Sequence, residues 1–76
     1  MKHEYYWHIS CCNKDDICGY EYNESNAIQR LLYELSCIKN CNDIMSASIQ
    51  MDDRPFAFVD VKSMTVQRVT HGYSCT

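Results

Sequence analysis

The chain has 76 residues, which is enough for one small α+β domain spanning 1–76 and for nothing larger. Apolar residues make up 46% of it against only 2 Gly and 1 Pro, so disordered, linker-like and collagen-like classes are excluded. Seven basic against ten acidic residues leave a formal net charge of −3, the wrong sign for an electrostatic grip on nucleic acid or on an anionic membrane.

The opening Met1-Lys2-His3-Glu4 has no apolar run behind it, and no stretch approaches the length a membrane helix needs. The sequence therefore predicts a cytoplasmic protein with no membrane attachment. Six cysteines in so short a chain invite a disulfide framework, but a reducing compartment predicts free thiols that pack as small apolar groups.

Residues 5–12 are aromatic and β-prone, with Tyr5, Trp7, Ile9 and Cys11 on one parity. Asn13-Lys14-Asp15-Asp16 reads as a turn, and Ile17–Tyr22 as the returning strand. A four-residue turn predicts that Cys11 faces Cys18, Ile9 faces Tyr20 and Trp7 faces Tyr22, with His8 opposite Glu21 on the outer side. A helix follows from Asn23 or Ser25, either of which can cap it. Its apolar stripe is Ile28, Leu31, Leu32, Leu35 and Ile38, and Lys39-Asn40 close its last turn.

Ile44–Met51 alternates, with Met45, Ala47, Ile49 and Met51 on one face. Asp52-Asp53-Arg54-Pro55 is the turn, Phe56–Lys62 the returning strand, and Met64–Thr70 a last β-prone segment at the edge. The predicted fold is a two-layer α+β sandwich in the order β-β-α-β-β: an antiparallel sheet of four to five strands with one helix on one face. Such a sheet leaves its second face to water or to a partner.

Three constellations bear on function. Cys37-x-x-x-Cys41, Cys11 with Cys18, and His71-x-x-x-Cys75 hold metal-ligating residue types, but on separate elements and without a Cys-x-x-Cys knuckle. A small zinc-stabilised domain is therefore the third reading, and the first predicts no cofactor. No phosphate-binding glycine loop exists, and His8 lies two rungs from Cys12, so a non-enzymatic protein is predicted. Arg54-Pro-Phe-Ala-Phe-Val-Asp-Val61 resembles the third-strand motif of RNA-recognition-motif domains, with Pro55 in place of a glycine and Val61 in place of an aromatic. The resemblance implies aromatics that stack on bases. The hairpin register predicts instead that Phe56 and Phe58 point into the core, and the 14 residues after Lys62 are too few for that family's remaining elements.

What remains is surface. With the phenylalanines inside, Val59 and Val61 reach the open sheet face beside Tyr6 and His8, and Arg30, Tyr33 and Cys37 line the outer arc of the helix. The predicted function is a protein-interaction module acting through these residues. Its partner is a host protein or nucleoprotein complex, blocked sterically in the manner of a phage or mobile-element inhibitor, or else a second copy of the chain in a homodimer. Substitution of Tyr33 or Val59 by Glu is then expected to abolish binding and spare the fold. The alternative is a single-stranded nucleic-acid-binding module that stacks bases on Tyr6, His8, Phe56 and Phe58.

Overall fold

The computed structural model describes residues 3–38 and 40–69. It contains β1 (Tyr5–Cys11), β2 (Ile17–Glu21), α1 (Glu24–Ser36), one 3-10 turn (Cys41–Asp43), β3 (Ile44–Met51), β4 (Arg54–Asp60) and β5 (Thr65–Arg68). All five strands join one antiparallel sheet in the order β2-β1-β3-β4-β5, with α1 across one face. This is the two-layer α+β architecture expected from the sequence, with the last segment forming a true edge strand. No helix among the described residues is long and apolar enough to cross a membrane.

β1 owes its central place to its alternation. Tyr5, Trp7, Ile9 and Cys11 are all buried, and the strand is paired on both sides. The helix supplies the opposing layer. Asn23 caps it by accepting the Asn26 N–H on its side chain at 3.2 Å, and Glu24 sits at the positive end of the dipole. Its buried line is Ala27, Leu31 and Leu35, with Ile28, Leu32 and Ile38 on the flanks. The small residues Ala27, Ala47 and Ala57 are buried in the same core. Ile9, Leu31 and Ile49 are the largest side chains fully enclosed, each worth about 1.5–3 kcal/mol of burial. The helix ends at Ser36, earlier than expected, with Cys37 as its cap, and Lys39 lies outside the described residues.

The first hairpin runs in a different register from the expected one. Ile9 faces Ile17, His8 faces Cys18, Trp7 faces Gly19 and Tyr6 faces Tyr20. The connection is longer because Asp16 folds back, accepting the Cys11 N–H on Oδ1 at 2.9 Å. Gly19, not Tyr22, lies under Trp7. A Cβ there would meet the indole at 2.6 Å, so only glycine admits the ring in this position. The offset is three residues, an odd number, so Cys18 and Tyr20 turn to the open face instead of the core. Tyr22 is exposed beyond the strand end.

The second hairpin is inverted by one residue. Asp52 and Asp53 both adopt left-handed backbone angles (φ 51° and 68°) and form a two-residue turn, so Arg54 and Pro55 already belong to β4. Pro55 has no N–H for the ladder, and the register shifts at the Ile49–Gln50 step, where Phe56 is the extra residue. Beyond that bulge Ser48 faces Phe58 and Ile49 faces Ala57. Ala57 and Val59 therefore enter the core, Phe58 is exposed, and Phe56 is turned inward against Tyr5 at 5.4 Å between ring centroids. The expectation that Val59 is a surface residue is thus overturned by one bulge. Met45 is displaced in the same way at a bulge opposite Ser10 and Cys11, and is exposed rather than buried.

Two carboxylates pin the strand ends. Besides Cys11, Asp16 binds His8, while Asp52 accepts the Glu4 N–H at 3.0 Å and meets His3 Nδ1 at 2.6 Å. The backbone hydrogen bond from Cys11, then His8, holds the Asp16 carboxyl below its ordinary 3.8, and Glu4 and His3 do the same for Asp52. Their stabilisation is complete above the ordinary value and is lost as pH falls through the lower folded-state values. Urea midpoints are accordingly expected to drop on acidification below pH 3.8, and to drop less in an Asp16→Asn/Asp52→Asn double variant. An identical acid response in that variant would remove these carboxylates from the account.

Candidate interaction surface

The face of the sheet away from α1 gathers Tyr6 and His8 from β1, Cys18 and Tyr20 from β2, Ser48 and Gln50 from β3, and Phe58 from β4. The strand pairings set the layout. Tyr20, Tyr6 and Gln50 form one row across the sheet, and Cys18, His8, Ser48, Phe58 and Gln67 form the next. Tyr6 and Tyr20 stand 4.9 Å apart between ring centroids, and His8 stacks on Tyr6 at 6.0 Å with planes 13° apart. Tyr20 is 59% exposed and Phe58 45%.

Asp16 organises one end of this surface. Its Oδ2 lies 3.0 Å from His8 Nε2. Because an ionised carboxylate only accepts, Nε2 is the donor and Nδ1 is left for other contacts. The neighbouring Cys18 side chain first, then desolvation, holds the Tyr6 phenol above its ordinary 10.0. The phenol is therefore a neutral hydrogen-bonding group at physiological pH.

The arginines lie elsewhere. The five strands carry only Arg54 and Arg68, and both occupy helix-side positions, opposite Met51 and Ala57. Arg68 pairs with Glu24 of α1 and lies over the Phe56 ring at 5.4 Å. No lysine or arginine occupies an open-face position on any described strand.

No protein family, curated protein or solved structure matches the chain.

The residues singled out in the sequence as partner-binding fall into four groups. Tyr6 and His8 are brought together on the open face. Val61, half-buried, lies past the end of β4, where it borders a groove with Met45, Phe58 and Lys62. Arg30, Tyr33 and Cys37 are exposed on the outer arc of α1, where Arg30 binds Glu34 at 3.0 Å and lies 5.8 Å from the Tyr33 ring. Val59 belongs to neither surface, since it packs in the core against the partly buried Val66 on β5.

Sequence reasoning missed Tyr20 and Asp16, and its first reading put Phe58 in the core, leaving it at the surface only in the nucleic-acid alternative. The signal for Tyr20 was Gly19: a glycine in mid-strand marks a close approach, and Trp7 is the one residue large enough to need it. The signal for Phe58 was Pro55, which forces a bulge or an edge. Cys11 is buried, while Cys12, Cys18 and Cys37 are exposed on separate parts of the fold. Among the described residues no three His, Cys, Asp or Glu side chains converge as a metal site would need. The Cys41 side chain and the His71–Cys75 pair lie outside the described residues.

Proposed function

We propose that this protein is an interaction module that docks the open face of its sheet on a partner protein. The observation that carries the reading is the pair of exposed aromatics Tyr20 and Phe58, with the half-buried Tyr6 between them, on a sheet face that no other element of the described fold covers. Tyrosines fixed in a pleated sheet bring large contact area at small cost in side-chain entropy, which is what interface hot spots use. The helix arc Arg30-Tyr33-Cys37 is a second, smaller contact surface in the same reading. In its narrower form the protein is an inhibitor of phage or mobile-element type that occupies a host protein's surface and acts without turnover. That form rests on the net acidic charge and on the aromatic surface being the distinguishing feature of the fold.

A second reading is favoured by one observation, the exposure of Phe58 on the face that also carries Tyr6 and His8. Aromatics on one uncovered face suit the stacking of unpaired bases. It is weakened because no described strand carries a lysine or arginine on that face, and phosphate neutralisation supplies most non-specific affinity for nucleic acid.

Photo-crosslinking in the source cells tests the first reading. A benzophenone residue placed at Tyr20 or Phe58 is expected to give a discrete adduct with one protein, or with a second copy of the chain, and the same group at Ser25 none. Adducts of equal yield from all three positions, or adducts with nucleic acid alone, would overturn it.

A further inference from the structure

The molecule builds one arrangement twice on its helix side: an aromatic ring with an arginine over it and a carboxylate holding the guanidinium. Tyr33, Arg30 and Glu34 form the first, with the guanidinium 5.8 Å from the ring and 3.0 Å from the carboxylate. Phe56, Arg68 and Glu24 form the second. The open face holds two of the three parts and lacks the third. Tyr6 and Tyr20 stand as a ring pair 4.9 Å apart, and the Asp16 carboxylate sits beside His8, whose ring stacks on Tyr6. Asp16 remains about half exposed at its side chain. Phe58 has Asp60 two residues along its strand on the same face. Among the described residues the Tyr6–Tyr20–Asp16 cluster has no cation of its own beyond His8, whereas Lys62 borders the groove beside Phe58 and Asp60.

We propose that the open face binds an arginine-bearing segment of the partner protein, with a guanidinium stacked on the Tyr6–Tyr20 pair and drawn to the Asp16 carboxylate. The inference rests on the docking reading above and names its chemistry. Charge complementarity supports it: the chain is net acidic, and the open-face strand positions carry Asp60 and no lysine or arginine. Arginine suits the site better than lysine. Its flat, weakly hydrated guanidinium stacks on a ring and still presents N–H donors at its edge, whereas an ammonium is a compact and strongly hydrated charge. The same absence of positive charge disfavours a phosphate backbone on this face.

Fluorescence anisotropy of the full chain with labelled poly-arginine, poly-lysine and poly-glutamate peptides and an oligo-dT strand tests this. Poly-arginine is expected to bind more tightly than poly-lysine, and Tyr20→Ala to weaken it by about tenfold at one stacking contact. Asp16→Asn is expected to weaken it as well. Tyr20 is exposed, so its variant keeps the fold and decides the matter even where Asp16→Asn loosens the first hairpin. Equal binding of the two basic peptides, indifferent to Tyr20→Ala, would overturn the proposal, because the attraction would then be net charge alone. Tyr20-dependent binding of poly-glutamate would overturn the arginine chemistry while leaving a protein-docking face in place. Tyr20-dependent binding of oligo-dT would overturn both readings together.

Discussion

Gly19→Ala is expected to destabilise the protein by about 2 kcal/mol, within the range for overpacking a close-packed interior. In an average strand the same change is favourable, because alanine loses less backbone freedom on folding than glycine. Here the added Cβ would sit 2.6 Å from Trp7 Cζ2 and 2.8 Å from Cε2. The indole cannot swing aside, because Trp7 is only 4% exposed and Tyr5 and Ile9, its neighbours on the core face of β1, are buried too. Its Nε1 is buried and finds no hydrogen-bond partner among the described residues. A donor in that state costs about 1–3 kcal/mol, so the ring is held there by packing on Gly19 rather than by a polar contact. At about 4–8 °C per kcal/mol for a domain of this size, the melting midpoint should fall by about 8–16 °C. Adding Trp7→Phe to Gly19→Ala should recover part of that loss, since the smaller ring leaves room for the methyl and removes the unpaired donor. A melt unchanged by Gly19→Ala would mean that β2 is not seated under Trp7, and the register of the first hairpin would fall with it.

The same hairpin shows where the sequence was legible and where it was not. The parity of β1 could be read directly, because Tyr5, Trp7, Ile9 and Cys11 are apolar at a strict period of two and the strand is buried on that face alone. The helix was legible from its cap and stripe, although Ala27, one of its three buried residues, gave too weak an apolar signal to stand out. Registers were not legible. Each depends on one backbone event that hydrophobic pattern does not encode: Asp16 lengthening the first turn, Pro55 and Phe56 making a bulge in the second hairpin, and Met45 making another between β1 and β3. Because side chains alternate, each odd shift moves a whole set of residues to the other face. The fold class survives such shifts, since either face of a strand can complete a two-layer core. The proposed docking surface does not survive them. It went from aliphatic, with Val59 and Val61, to aromatic, with Tyr20 and Phe58.

That exchange makes neighbouring residues on β4 a decisive pair. Val59→Glu is expected to unfold the protein, whereas Phe58→Glu should leave its stability within about 1 kcal/mol of the parent. Val59 is 6% exposed and pairs with Val66 over a core that includes Ala57 and Ile49. A carboxylate placed there has no cation within the apolar cluster, and burying an unpaired charge costs several kcal/mol even after the surroundings relax. A domain of this length has about 4–11 kcal/mol of total stability, at typical values per residue, so one such charge consumes most of it. Phe58 faces solvent across from Ser48, and a glutamate there keeps its hydration. Far-UV circular dichroism and hydrogen exchange of the two variants would separate the outcomes. If Val59→Glu folds and Phe58→Glu does not, the β4 bulge is absent and the phenylalanines face the core. If the contrast is as expected, Phe58→Glu becomes the more informative variant for function. It places a charge on the proposed docking face without touching the fold, so any partner held by the aromatic rows should be lost while the melt stays where it was.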